Sequence, residues 1–138
     1  MGHTISICYP DKAKIEKRKE VLDTKDALEF FSSYPWAEQL EILKSIPDGE
    51  LHYAPSVCFT NTENKHSLEL TAEDETGTLV FSLWYGRPAT KKVLFGILGE
   101  KEVIEVIDKW CFDRESSYNH LKAFLEEDYE EVERVMSE

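Results

Sequence analysis

The thiols and imidazoles are the first groups of this sequence that could do chemistry, as metal ligands, nucleophiles or proton carriers. They are scattered along the chain, at Cys8, Cys58, Cys111, His3, His52, His66 and His120. No C-x-x-C or H-x-x-x-H pair places two of them within one turn of backbone, so their spacing predicts no zinc site. An odd number of distant cysteines predicts reduced thiols rather than a disulfide framework. We therefore expect neither a metal nor another cofactor.

Motifs for catalysis are also missing. The sequence contains no G-x-S-x-G elbow, no P-loop and no G-x-G-x-x-G fingerprint. The adjacent carboxylates of Asp74 and Glu75 fall in an expected exposed turn, where nothing prepares them for acid and base roles. Cys111 could act as a nucleophile only if folding brought Asp108 or His120 beside it. The sequence therefore predicts no catalytic residues and a protein that is not an enzyme.

Residues 83–92, LWYGRPATKK, combine aromatic and basic side chains as a protein-binding rim does. Arginine binds carboxylates through two parallel hydrogen bonds, and a neighbouring aromatic ring can anchor in a partner. The plainer interpretation is a strand end and a turn, in which Gly86 allows an unusual backbone angle and Pro88 stops further pairing. If the segment binds a partner, the contact residues are Trp84, Tyr85, Arg87, Lys91 and Lys92.

The largest charge feature is EEDYEEVE at residues 126–133, in a chain whose net charge is −12. Negative charge of this size disfavours direct binding to the phosphates of nucleic acid. Such a run is ordinarily a solvated helix face, and the alternative is a surface that attracts a basic partner. On that alternative, Glu127, Glu130 and Glu131 contact a basic protein.

The chain has the length and apolar content of one globular domain, so we expect a single domain over residues 1–138. No stretch approaches the ~18–20 apolar residues of a membrane-spanning helix, and the amino terminus lacks the apolar segment of a secretory signal. These features and the scattered cysteines predict a cytoplasmic protein that does not bind membranes. The oligomeric state is left open.

Apolar periodicity gives the elements of the first third of the chain. Residues 4–9, TISICY, alternate as a strand does. The helical period follows in residues 11–23, DKAKIEKRKEVLD, which predicts a first surface helix. Asp23 and Thr24 can cap a second helix, and Pro35 is expected to open a third.

From about residue 50 to residue 98 the period becomes two, which predicts four antiparallel strands with short turns, the last of them KKVLFGILG at residues 91–99. The helical period returns at residues 100–110, EKEVIEVIDKW, where Trp110 is expected to anchor a helix in the core. A last helix is expected from Ser116 onward. The order of elements predicts an α+β fold, in which N-terminal and C-terminal helices pack on one face of an antiparallel four-stranded meander, with or without the N-terminal strand.

The segments PDGELHYAPSVCFTN, SLWYGRP and KKVLFGILG, within this order of elements, resemble the small immunity proteins of bacterial polymorphic-toxin and contact-dependent inhibition systems. The resemblance is one of general pattern over most of the chain, and it carries over no functional residues. It implies tight binding to a cognate toxin, which the protein neutralises.

Two other classes of function remain. A small-ligand binder would hold its ligand in a pocket between sheet and helices, lined by Phe59, Phe81, Trp84 and Phe95. The same residues are more simply a closed core, and a dry, packed core would favour an interaction protein. An enzyme would require a cleft that brings carboxylates, histidine or cysteine within hydrogen-bond reach.

Overall fold

The computed structural model describes residues 2–92 and 100–137, which form an α+β fold with a six-stranded antiparallel sheet and four α-helices. The strands are β1 (His3–Cys8), β2 (Glu16–Lys17), β3 (Ser56–Asn61), β4 (Ser67–Glu75), β5 (Thr78–Lys92) and β6 (Glu100–Phe112). The helices are α1 (Thr24–Ser33), α2 (Trp36–Ser45), α3 (Arg114–Leu125) and α4 (Tyr129–Met136), and a short 3-10 helix spans Asp48–Glu50. None of the helices among these residues combines the length and the apolar content that crossing a membrane requires.

The strand order is β2-β1-β3-β4-β5-β6, and every neighbouring pair is antiparallel. The predicted meander is present, because β3, β4, β5 and β6 follow one another in the sheet. Its fourth strand is not the one expected. Lys91 and Lys92 close β5, residues 93–99 lie outside the described residues, and the partner of β5 is β6.

One face of the sheet carries the core, and we call it the covered face. Alternate residues of the strands point to it, and its central row pairs Ile5, Phe59, Leu68 and Tyr85 across four strands. All four are buried. Helices from both ends of the chain contact this face, as when the Trp36 ring of α2 meets the Phe81 ring of β5 edge-on at 5.0 Å.

The prediction of a helix over residues 11–23 is wrong. After a turn, residues 16–22 run beside β1, where Ser6 pairs with Lys17 and the backbones of His3 and Leu22 exchange two hydrogen bonds of 3.0 and 2.8 Å. The backbone groups that a helix would use internally therefore bind β1 instead. The two helices that follow are confirmed: Asp23 caps α1 through the amide of Asp26 at 2.8 Å, and α2 begins directly after Pro35.

The helix predicted over residues 100–110 is a strand. Val103, Ile104, Val106 and Ile107 recur at helical spacing, but β-branched side chains also favour strands, and here β5 offers a long partner. Trp110 therefore does not anchor a helix in the core, because half of its surface is exposed on β6 (50%). Pro88 does not end the pairing of β5 either, since it lies opposite Ile104 within the ladder.

The last predicted helix divides in two. Glu127 adopts a positive φ of 61°, which ends α3, and Asp128 then caps α4 by accepting a hydrogen bond from the amide of Glu131 at 3.4 Å. Hydrogen bonds join the junction between α3 and α4 to the turn after β3. The side-chain amides of Asn61 and Asn64 donate hydrogen bonds to the Tyr129 hydroxyl at 3.3 and 2.9 Å.

Candidate protein-binding surface

The side of the sheet opposite the helices, the open face, changes character from one edge to the other. Its central row pairs Ser6, Cys58, Glu69, Trp84 and Asp108 in successive strands. The residues of β1 and β3 on this face are small, whereas β5 and β6 carry large apolar side chains. We call Trp84, Ile104, Val106 and Trp110 the tryptophan patch.

The tryptophan patch is exposed and geometrically fixed. Ile104 and Val106 are 53% and 58% exposed, and Trp84 is partly exposed. The two indole rings meet edge to face with centroids 5.7 Å apart. Each indole N–H is held, since Trp84 Nε1 donates to Ser82 Oγ at 3.2 Å and Trp110 Nε1 donates to Asp108 Oδ2 at 2.8 Å. The patch is therefore a preorganised apolar surface.

Gly86 makes room for this arrangement. Its backbone angle is ordinary, so the expected need for an unusual conformation is wrong, because Gly77 is the glycine with a positive φ among those described. A side chain at Gly86 would begin 2.6 Å from Ser67 Oγ and 3.3 Å from Ile104 Cγ2. The glycine thus lets Ile104 lie across β5 toward β4.

Two carboxylates lie beside the tryptophans. Glu69 is the cross-strand neighbour of Trp84 on β4, and Asp108 is its neighbour on β6. Partial burial raises the pKa of the Glu69 carboxyl above its usual value. Within the described residues no hydrogen bond or ion pair compensates that carboxylate. A cation brought to this surface would supply the missing interaction.

The structure separates the residues predicted for the aromatic and basic rim. Tyr85 is fully buried on the covered face, so it is unavailable to a partner. Its hydroxyl and His66 Nδ1 are hydrogen-bonded at 2.7 Å, and burial raises its pKa to about 12. The side chains of Lys91 and Lys92 do not belong to the described part of the structure. Trp84 lies on the opposite face from Tyr85 and is partly exposed.

The basic rim and the acidic run meet each other within the molecule. The Arg87 guanidinium contacts the carboxylate of Glu105 at 3.3 Å and also that of Glu133 in α4. Arg87 therefore joins β5 to the acidic helix instead of standing ready for a partner. This contact links the covered face to α4.

Two of the three carboxylates predicted to meet a basic partner have structural roles. Glu127 Oε1 accepts hydrogen bonds from the side-chain amides of Asn61 and Asn64 at 3.5 and 3.4 Å. Glu131 forms an ion pair with Arg134 on the same helix. Glu130 is exposed.

The residues considered for a ligand pocket lie on opposite faces of the sheet, whereas Cys111 contacts the carboxylate of Glu75. Phe59 and Phe81 are fully buried in the core, Trp84 points to the opposite face, and Phe95 lies outside the described residues. Cys111 Sγ donates to Glu75 Oε2 at 3.3 Å, a contact that raises the pKa of the thiol and so makes it a poorer nucleophile. No three His, Cys, Asp or Glu side chains of residues 2–92 and 100–137 converge as metal ligands do.

A polar recess lies at the margin of the helix layer, with a volume of about 250 Å³. His3, Asp23, Asn61 and Glu127 are among the residues that line it. Sites for organic ligands usually measure ~300–1,000 Å³ and are mostly apolar. The recess is smaller and more polar than that, which makes it a poor candidate for such a site.

Sequence reasoning found Trp84 but missed Glu69 and the patch residues of β6. The available signal was the run of β-branched residues in EKEVIEVIDKW, which as a strand places Ile104, Val106, Asp108 and Trp110 on one face. The chain matches no protein-family model, no curated protein and no solved structure, so its function is argued from this surface.

Proposed function

We propose that this protein acts without catalysis, by binding a basic protein through the tryptophan patch and the carboxylates of Glu69 and Asp108. The observation that carries the proposal is the position of the partly exposed Trp84 between the carboxylates of Glu69 and Asp108, with the exposed Trp110 against its ring. An arginine or lysine that reaches Trp84 would gain both an ion pair and a cation–π contact, the latter worth about 0.5–2 kcal/mol. Tryptophan is also among the residues that most often dominate binding energies at interfaces.

The resemblance to immunity proteins gives the partner one specific form, a toxin that is neutralised by the bound protein. The net charge of −12 supports a basic partner, because it accelerates the encounter of opposite charges. The acidic run of α4 contributes to this long-range attraction, whereas the open face provides the contact.

The experiment measures binding of the purified protein to arrayed short peptides that differ in basic and aromatic content, followed by titration of the strongest binders. We expect basic peptides with an apolar residue to bind. Trp84→Ala should weaken the affinity of the protein for these peptides by about tenfold or more. A toxin captured with the protein would then be co-expressed with it, and growth would report neutralisation.

A matched pair of variants separates local contact from general charge. Glu69→Gln with Asp108→Asn removes two charges beside the tryptophans, and Glu126→Gln with Glu130→Gln removes two from exposed positions elsewhere. We expect the first pair to weaken binding much more than the second. Equal effects would place the contact away from the open face, and turnover of a small molecule by the protein alone would overturn a non-catalytic function.

A further inference from the structure

The two edges of the sheet are not alike. At one edge, β2 has two residues, and the extended chain around it hydrogen-bonds along β1. At the other edge, β6 has 13 residues, and β5 is its strand neighbour within the described part of the chain. An edge strand presents a row of backbone donors and acceptors that another strand can use.

Charged side chains are the protection that residues 100–112 carry against unspecific edge pairing, and they restrict a partner strand to one of complementary charge. The segment contains no proline or glycine, and its pairing with β5 is regular from Glu100 to Lys109. The register irregularity in this pair falls between Phe81 and Leu83, opposite Trp110 and Cys111 of β6, so Trp110 is the first residue beyond the regular part of the strand. The strand also exposes Ile104 and Val106 on the open face. Such a strand is suited to pairing with another strand.

We propose that two copies of this chain associate through β6, antiparallel and about a twofold axis at Ile107, so that their sheets become continuous. In this register Glu105 lies opposite Lys109 of the second copy, and the symmetry creates that pair twice. Ile104 likewise lies opposite Trp110 of the second copy. Opposite charges and large apolar residues facing each other across strands are the pairs that stabilise a sheet.

Shifting the twofold axis by one residue keeps each side chain on its face of the sheet but gives less favourable cross-strand pairs. A twofold axis at Val106 would lose both of these pairs and place Ile104 opposite Asp108 of the second copy, whereas the axis at Ile107 keeps both pairs and places the smaller Val106 opposite Asp108. An axis at Asp108 would place that carboxylate opposite its own copy, and like charges directly opposite are destabilising. The sequence of β6 is therefore self-complementary in one register, which is the requirement for an isologous dimer.

The contacts already present are compatible with this pairing. Glu105 accepts a hydrogen bond from Arg87 at 3.3 Å, and Lys109 donates one to the backbone carbonyl of Val135 at 3.1 Å. The cross-strand pair would extend these contacts into a charged network across the interface. Both tryptophan patches would then lie on the same side of one sheet, beside each other.

The test is sedimentation velocity of the purified full chain over a range of concentrations, with no partner added. We expect a dimer that dissociates on dilution. Ile104→Glu should raise the dimer dissociation constant at least tenfold, because it sets a carboxylate against Trp110 of the second copy, whose indole already contacts Asp108. Leu51→Glu, at an exposed apolar residue outside the sheet, is the matched control and should leave the dimer unchanged.

Charge reversal tests the register. Glu105→Lys should weaken the dimer, and Glu105→Lys combined with Lys109→Glu should restore much of it. Circular dichroism and thermal melting identify any variant that fails to fold. The mass of the wild-type protein from sedimentation does not depend on the folding of any variant. A wild-type monomer at the highest concentration, an assembly larger than a dimer, or a dimer insensitive to both Ile104→Glu and Glu105→Lys would overturn the proposal. Because no basic partner is present, these results are separate from those that test the proposed function.

Discussion

Two tryptophans on opposite faces of the sheet show how differently the same side chain is used. Trp36 is 1% exposed, donates its indole N–H to the carbonyl of Phe31 at 3.0 Å and packs on Phe81. Trp110 is 50% exposed and touches a ring and a carboxylate on the open face. The covered face has the contacts that folding requires. The open face exposes large apolar side chains of β6, which is why we propose that it binds a partner.

The largest expected effect is the difference in stability lost when Trp36 or Trp110 is replaced. Trp36→Ala should lower the free energy of unfolding by about 3–5 kcal/mol, because it removes a fully buried ring from the core. Trp110→Ala should lower it by less than about 1 kcal/mol. Denaturant unfolding of both variants measures the difference. Similar losses would mean that the open face also belongs to the core.

The next comparison uses adjacent residues of β3. Asn61 is buried, and its side chain accepts hydrogen bonds from the amides of Glu63 and Asn64 while donating to Tyr129. Asn61→Ala should lower the free energy of unfolding by about 1–3 kcal/mol, since several partly buried groups lose their hydrogen-bond partner. Thr60→Ala, whose side chain is on the open face, should cost within about 0.5 kcal/mol. Equal unfolding midpoints would show that the turn does not depend on Asn61.

The pH dependence of stability should come largely from the covered face. Burial and the nearby Arg87 lower the pKa of His66, which also faces Tyr85, Tyr129 and Glu127. The unfolded chain therefore binds a proton first, so the free energy of unfolding should fall as the pH drops below about 6.5. Burial lowers the pKa values of two further histidines, which add to the loss, namely His3 and His120.

The His66→Gln variant isolates the contribution of this side chain. Its free energy of unfolding, measured from about pH 7.5 down to about pH 5, should decline less than that of the wild type. A wild-type profile that is flat over this range would contradict the assignment. An unchanged slope in the variant would assign the loss to His3 and His120 instead.

The smallest expected effect has the opposite sign and lies on the open face. Burial raises the pKa of Glu69, so the stability that this side chain contributes falls as the pH rises above its usual value of 4.5. Glu69→Gln should therefore raise the free energy of unfolding at neutral pH by about 0.5 kcal/mol. The gain should shrink at about pH 4, where the wild-type carboxyl is protonated. Glu130→Gln is the exposed control.

A stabilising Glu69→Gln that also weakens binding would be the clearest evidence that the open face is kept for a partner. If the variant is destabilised instead, the carboxylate is structurally supported, and the proposed role of Glu69 as a contact loses its basis. Melting curves and the peptide titrations can be collected on the same preparations.

The sequence predicted the fold where one signal was unambiguous. The strict alternation of Leu68, Leu70 and Ala72 identified β4 and its buried side, and Asp23 marked the start of α1. It misassigned β6, because Val103–Ile104 and Val106–Ile107 fit both the helical period and the β preference of branched side chains. Only the length of β5 as a partner decides between them.

The candidate site was only partly predictable for the same reason. Trp84 follows directly from the strand pattern, but Trp110 joins it only once residues 100–112 are paired with β5. The neutralisation of Arg87 by Glu133 links residues 46 positions apart, and no local pattern contains that contact. The helix predicted over residues 11–23 was wrong because the backbone partners of this segment lie on β1, outside the segment itself.

The placement of β1 next to β3 has a consequence for synthesis. Cys8 pairs with Ser56 and His3 with Asn61, so β1 leaves the ribosome about 50 residues before its partner strand. At ~5–20 residues per second this is a wait of roughly 3–10 s, with Ile5 and Ile7 unprotected. The chain around β2 follows β1 after far fewer residues and can pair with it at once. We expect this extended segment to cover the edge of β1 and so limit aggregation of the nascent chain until β3 has been synthesised.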